Sequence, residues 1–138
     1  MKDGFIKVAA ATPEIHVADC AFNADNILTL CQEANEQGVQ VIGFPELCLT
    51  GYTCSDLFLH EVLLEGAKQQ LLRIAKETKD MDMLILIGIP VRVRGALYNC
   101  AAVLHKGDIL GMVPKRNIPN YTEFYELRHF TEATAETA

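Results

Sequence analysis

Two charged residues of this 138-residue chain stand in the same local setting, each just after a proline that closes an apolar run. Glu46 follows Pro45 at the end of Val39 to Phe44, and Lys115 follows Pro114 at the end of Ile109 to Val113. A β-branched run entered through Gly38 reads as a buried strand, and a proline, which lacks a backbone donor, stops the pairing. A carboxylate at the carboxyl end of such a strand sits where open α/β folds gather their ligands. Both strand ends could face one pocket. Burial raises a carboxylate's pKa while a nearby ammonium lowers it, which is the setting of a general base beside a fixed positive charge. A loop carboxylate and a structural ion pair fit the same residues, and spacing alone does not separate these readings.

The elements that must bring the two ends together are legible in the periodicity. Phe5 to Ala11 reads as a first strand, ended by Thr12-Pro13. A helix follows from about Ala18 to Gln37, with Cys20, Ile27, Cys31 and Ala34 on one face and Asn23, Asp25, Gln32, Glu33 and Glu36 on the other. Gly38 is placed to end it as a C-cap glycine. The second strand, Val39 to Phe44, delivers Glu46. Ser55 or Asp56 is placed to cap a second helix from about Leu57 to Thr78, whose apolar stripe is Leu64, Ala67, Leu71, Ile74 and Thr78. Met83 to Ile89 is nearly continuous in apolar residues, which predicts a strand buried on both faces. Val91 to Arg94 alternates, Gly95 turns, Leu97 to His105 runs back, and Lys106-Gly107-Asp108 turns again into Ile109 to Val113. That pattern is a β-meander, so the expected fold is α/β with a mixed sheet. The tail Thr131 to Ala138 is small and polar, and it reads as closing nothing.

Composition excludes several function classes. Half the residues are apolar, enough for one domain with a core, and the formal net charge is −6. Lysines and arginines are scattered, with only short pairs such as Arg92/Arg94 and Lys115-Arg116, which argues against nucleic acid or an anionic membrane surface as the main partner. The longest apolar run, Met83 to Pro90, is too short to span a bilayer. Met1-Lys2-Asp3-Gly4 lacks a signal peptide's apolar core, so a cytoplasmic location is expected. The five cysteines are odd in number with no Cys-x-x-Cys pair and read as reduced core thiols. The four histidines are isolated, so no metal site is expected, and no Gly-x-Gly forms a phosphate loop.

Three stretches together carry a family resemblance: Val41 to Tyr52 (Val-Ile-Gly-Phe-Pro-Glu-Leu-Cys-Leu-Thr-Gly-Tyr), Leu97 to Leu104 (Leu-Tyr-Asn-Cys-Ala-Ala-Val-Leu) and Val113-Pro114-Lys115. They resemble the nitrilase, or carbon–nitrogen hydrolase, superfamily. Lys115 to Glu126 and Gly51 to Phe58 are similar to the glutaminase domain found in glutamine-dependent NAD synthetases. The match runs from about Phe5 to Phe130. It implies an αββα sandwich, of which residues 1–138 would form the N-terminal half, and a Glu–Lys–Cys triad. Glu46 would then take the thiol proton, and Lys115 would stabilise the oxyanion. By the same resemblance Tyr121 and Phe124 line a glutamine pocket and Tyr52 supports the Glu46 loop; core packing is the alternative for all three aromatics. The implied parent hydrolyses glutamine and passes the ammonia to a synthetase domain that uses ATP and Mg, neither of which this chain would bind. Its partners would be glutamine, the rest of the glutaminase domain, the synthetase domain and further copies in a homo-oligomer. The family's nucleophilic cysteine lies downstream of Lys115, whereas no cysteine here follows Cys100, and Cys48, Cys54 and Cys100 lack its context. The chain is therefore expected to be inactive by itself. The alternatives are a stand-alone amidase and a non-catalytic nitrilase-like module for binding or assembly.

Overall fold

Two helices and five strands follow from these periods. A computed structural model describes residues 3–134. In chain order the elements are β1 (Val8–Ala10), α1 (Cys20–Glu36), β2 (Val41–Gly43), α2 (Glu61–Glu77), β3 (Leu84–Val93), β4 (Ala96–His105) and β5 (Asp108–Pro114), with short 3-10 turns at Ser55–Leu59 and Glu126–Arg128. The strands lie in the order β1-β2-β3-β4-β5; β1, β2 and β3 are parallel, and β3, β4 and β5 are antiparallel. The mixed α/β sheet is thus as the meander predicts. Both hairpins close through two residues of left-handed backbone, Arg94-Gly95 and Lys106-Gly107, whose twist matches that of the flanking strands.

Alternation divides the sheet into two faces. Ile42, Ile85, Ile87, Ile89 and Leu104 point to one side and form a single core with Ile27 and Cys31 of α1 and Leu71 and Ile74 of α2. The predicted stripes of both helices are buried, and Gly38 follows α1 at positive φ. The other face holds Val8, in register with Val41 and Leu84, and the row Gly88, Ala101 and Val113; Val8 and Val113 are exposed.

The structure corrects several expectations. The first strand is only Val8–Ala10, because Ile6 is exposed and unpaired in the ladder. β3 is not covered on both faces: Leu84 and Leu86 alternate with the buried isoleucines and stay partly exposed. Asn23 is fully buried rather than solvated; its amide donates to the carbonyls of His16 and Leu49, and its oxygen accepts from the His16 N–H. Ser55 and Asp56 do not cap α2, which starts at Glu61 behind His60 without a side-chain cap. Asp56 instead accepts from Arg128 at 2.9 and 3.1 Å and lies 3.0 Å from His129. In the predicted tail, Thr131 donates to the Leu97 carbonyl and Ala133 to the Lys115 carbonyl, so this part is tied down. Residues 135–138 lie outside the described residues.

Candidate active site

Glu46 owes its position to a tight backbone fit. After β2 the chain turns at Pro45, and the Phe44 and Leu49 N–H groups donate to the Leu86 and Gly88 carbonyls of β3. Leu47 and Leu49 are fully buried beneath this turn and anchor it. The turn lies directly on Gly88: a Cβ there would stand 2.2 Å from the Leu47 nitrogen and 2.6 Å from the Pro45 oxygen, so only glycine fits. The Glu46 side chain remains 41 % exposed and borders an open depression of about 370 Å³ with Gly88, Asn99, Ala101, Val113 and Lys115.

Lys115 arrives from the far edge of the sheet, after β5. Pro114 ends β5, and the Lys115 N–H donates to the Asn99 carbonyl at 2.7 Å. Its ammonium donates to Glu46 Oε1 at 2.8 Å and to Glu126 Oε2 at 3.0 Å. Asn99 Nδ2 also donates to Glu46 Oε1. Tyr52 Oη donates to Glu126 Oε1 at 2.9 Å. One ammonium therefore sits between two carboxylates. Desolvation pulls the Lys115 pKa down, but the hydrogen bonds and charges of Glu46 and Glu126 outweigh it, and the net shift is upward from 10.5. Burial of the hydroxyl, with Glu126 beside it, pushes the Tyr52 phenol up to about 12.

Of the five residues singled out from sequence, the structure gathers Glu46, Lys115 and, through Glu126, Tyr52. Tyr121 and Phe124 pair edge-to-face with centroids 5.6 Å apart, and among the described residues they make no hydrogen bond or ring contact to that cluster. Tyr121 is well exposed and Phe124 partly so; neither packs in the core. Sequence reasoning missed Glu126, Asn99 and Gly88. For Gly88 and Asn99 signals existed: a glycine inside an apolar strand, and a lone amide in one. Glu126 stands in an aperiodic stretch with other acids and has no such mark.

None of the five cysteines suits a nucleophile. All are buried, and burial raises every thiol: Cys31 and Cys48 to about 12, Cys20 and Cys100 to about 11, and Cys54 upward as well. Among the described residues no three His, Cys, Asp or Glu side chains group to hold a metal ion, and no helix is long and apolar enough to cross a membrane.

Comparison with known proteins agrees with the fold. A family model described as carbon-nitrogen hydrolase matches residues 7–137. The chain is 38% identical over 133 residues to the glutamine-dependent NAD(+) synthetase of Mycobacterium leprae, covering 96% of this chain and 20% of that protein. It is 36% identical over 114 residues to that of Aquifex aeolicus, covering 83% and 20%. The crystal structure of a glutamine-dependent NAD(+) synthetase from Cytophaga hutchinsonii superposes with a TM-score of 0.89 at 33% identity, over 94% of this chain and 22% of that one. An amidase from Nesterenkonia sp. shares the fold at 20% identity with a TM-score of 0.80, over 97% and 50%. The chain spans about a fifth of the length of the curated synthetases it matches.

Proposed function

The chain belongs to the carbon–nitrogen hydrolase family, and on that premise we propose that it supplies the base and the cation of a glutaminase site in a glutamine-dependent NAD synthetase. What supports this most is the Lys115 ammonium held 2.8 Å from Glu46 and 3.0 Å from Glu126 at the rim of an open depression. Glu46 is exposed enough to exchange a proton, and Lys115 carries a fixed charge where an oxyanion can form. In the reaction so read, Glu46 takes the proton of a thiol. The thiolate adds to the glutamine carboxamide carbon, and Lys115 steadies the oxyanion. The C–N bond then breaks, and the proton leaves with ammonia. Water next hydrolyses the thioester to glutamate. The thiol comes from a residue outside these 138, since all five thiols here are buried with raised pKa. Ammonia would then serve ATP-dependent amidation of deamido-NAD in a synthetase domain of the parent protein. Tyr121, which is exposed, and Phe124, which is partly so, are proposed to contact glutamine.

The test is Glu46→Gln in the full-length protein. Synthesis driven by glutamine should fall about 10²- to 10⁴-fold, the usual contribution of a general base. Synthesis driven by added ammonia should persist, because only the ammonia source is lost. Equal loss of both would make Glu46 a structural residue.

A further inference from the structure

Asn99 touches both members of the Glu46–Lys115 pair and has no role in the reading above. It lies on β4 opposite Pro90 and is only 4% exposed, in a strand otherwise made of Ala, Leu, Val, Cys, Tyr and a terminal His. A buried amide needs partners, and Asn99 finds them in the site. Its backbone carbonyl accepts the Lys115 N–H at 2.7 Å, and its side-chain Nδ2 donates to Glu46 Oε1. The Lys115 ammonium donates to that same Oε1 at 2.8 Å. Two donors thus converge on one carboxylate oxygen, and Oε2 receives none from the described residues.

We infer that Asn99 is the positioning residue of the general base: it pins Glu46 by Oε1 so that Oε2 is the oxygen that takes the nucleophile's proton. This rests on Glu46 acting as the base. A carboxylate can accept a proton only on a lone pair that is not already engaged, and the geometry leaves that lone pair on Oε2. Lys115 alone does not fix this choice. Its ammonium is a rotatable point charge and is shared with Glu126. The planar amide, set by a central strand, adds direction. It also adds no charge, so it orients Glu46 without competing with Lys115 for the ion pair. An aspartate of the same shape would instead set a second carboxylate against Glu46.

The test uses the full-length protein with Asn99→Asp, which keeps the shape and loses the donor, and Asn99→Ala, which loses both. Active sites are counted by stoichiometric alkylation of the nucleophile, so a misfolded fraction does not enter the rates. Per titrated site, kcat for glutamine hydrolysis should fall about 10- to 100-fold, in line with a misaimed catalytic group, while KM stays within about threefold. The alkylation rate at neutral pH should fall by a similar factor, because the proton-accepting oxygen is no longer aimed. A merely structural Asn99 would lower Tm and the number of titratable sites and leave kcat per site within about twofold, which overturns the assignment. A loss confined to KM overturns it as well. Glu46→Gln is run alongside. If it retains turnover, the base itself is misassigned and this inference falls with it. If it loses turnover while both Asn99 variants keep theirs, the inference about Asn99 fails alone.

Discussion

Residues 45–51, after β2, are packed inside the fold and hold out a carboxylate that is 41 % exposed; residues 115–133, after β5, run along the surface and bury one that is 6 % exposed. The first segment is fixed by Leu47 and Leu49 in the core and by backbone bonds to Leu86 and Gly88. The second is fixed at its edges, by Arg128 and His129 on Asp56 and by Phe130 packed edge-on to Phe58 at 4.9 Å. The inversion fits two tasks. A group that moves a proton needs access to the reacting atom, so its backbone must be rigid and its head free. A group that only holds a charge works better buried, where the lower dielectric strengthens its grip on Lys115.

The rigid segment breaks most sharply at Gly88. Gly88→Ala places a Cβ against backbone atoms of Pro45, Glu46 and Leu47, none of which has a flexible end to swing away. The turn must lift, and a shift near 1 Å at a catalytic group costs about 100-fold in rate. We expect kcat/KM for glutamine to drop by that factor, with about 1–3 kcal/mol of stability lost to overpacking. Full activity in G88A would show that the turn tolerates displacement and that rigidity is not what distinguishes this segment.

The surface segment breaks at its buried end. Glu126→Gln keeps the shape and an acceptor for Tyr52 but removes the negative charge beside the Lys115 ammonium. A hydrogen bond to a charged group contributes about 1.5–3 kcal/mol, so turnover should fall about 10- to 100-fold. The pH dependence gives the sign independently. Lys115 has a raised folded pKa, so its ammonium is retained through 10.5 and its contribution is lost as pH rises further. Without Glu126 the upward shift shrinks, and the alkaline fall in activity should come at lower pH than in the unaltered protein. An unchanged alkaline limb would detach Glu126 from Lys115.

The same contrast explains what could be read before any coordinates. Glu46 and Lys115 were legible because each follows a proline at the end of an apolar run, a pattern that states both a position and an end. The two helices and the hairpins were legible through period and turn chemistry. Asp56 misled, because an acid after a turn suits a helix cap and a surface clasp equally, and only Arg128, distant in sequence, decides between them. Glu126 was silent for a related reason. Its burial comes from Lys115 and Tyr52, and neither contact leaves a trace in the residues around it. Asn23 shows the limit of helical periodicity: a polar residue assigned to the outer face is buried because Leu49 and the His16 backbone supply its partners.

Tyr52 joins the two segments, since it stands just after the first and donates to Glu126 of the second. Tyr52→Phe removes one neutral donor from a carboxylate that keeps Lys115. A hydrogen bond to a charged group contributes about 1.5–3 kcal/mol, and because Lys115 still holds Glu126 we expect the lower end, a loss in kcat of about 10-fold and a similarly small loss in stability. The phenol makes this measurable apart from activity. Its folded pKa is raised to about 12 from an ordinary 10, because burial and Glu126 favour the neutral form. For a raised acid the stabilisation is complete below 10 and is lost as pH climbs from 10 toward 12. Tyrosinate absorption should therefore show a component that titrates near 12, and Tyr52→Phe should delete it. Glu126→Gln should shift that component downward, because the carboxylate that opposes ionisation is gone. If the late component survives Glu126→Gln unshifted, Tyr52 owes its shift to burial alone. The two segments would then be joined through Lys115 only.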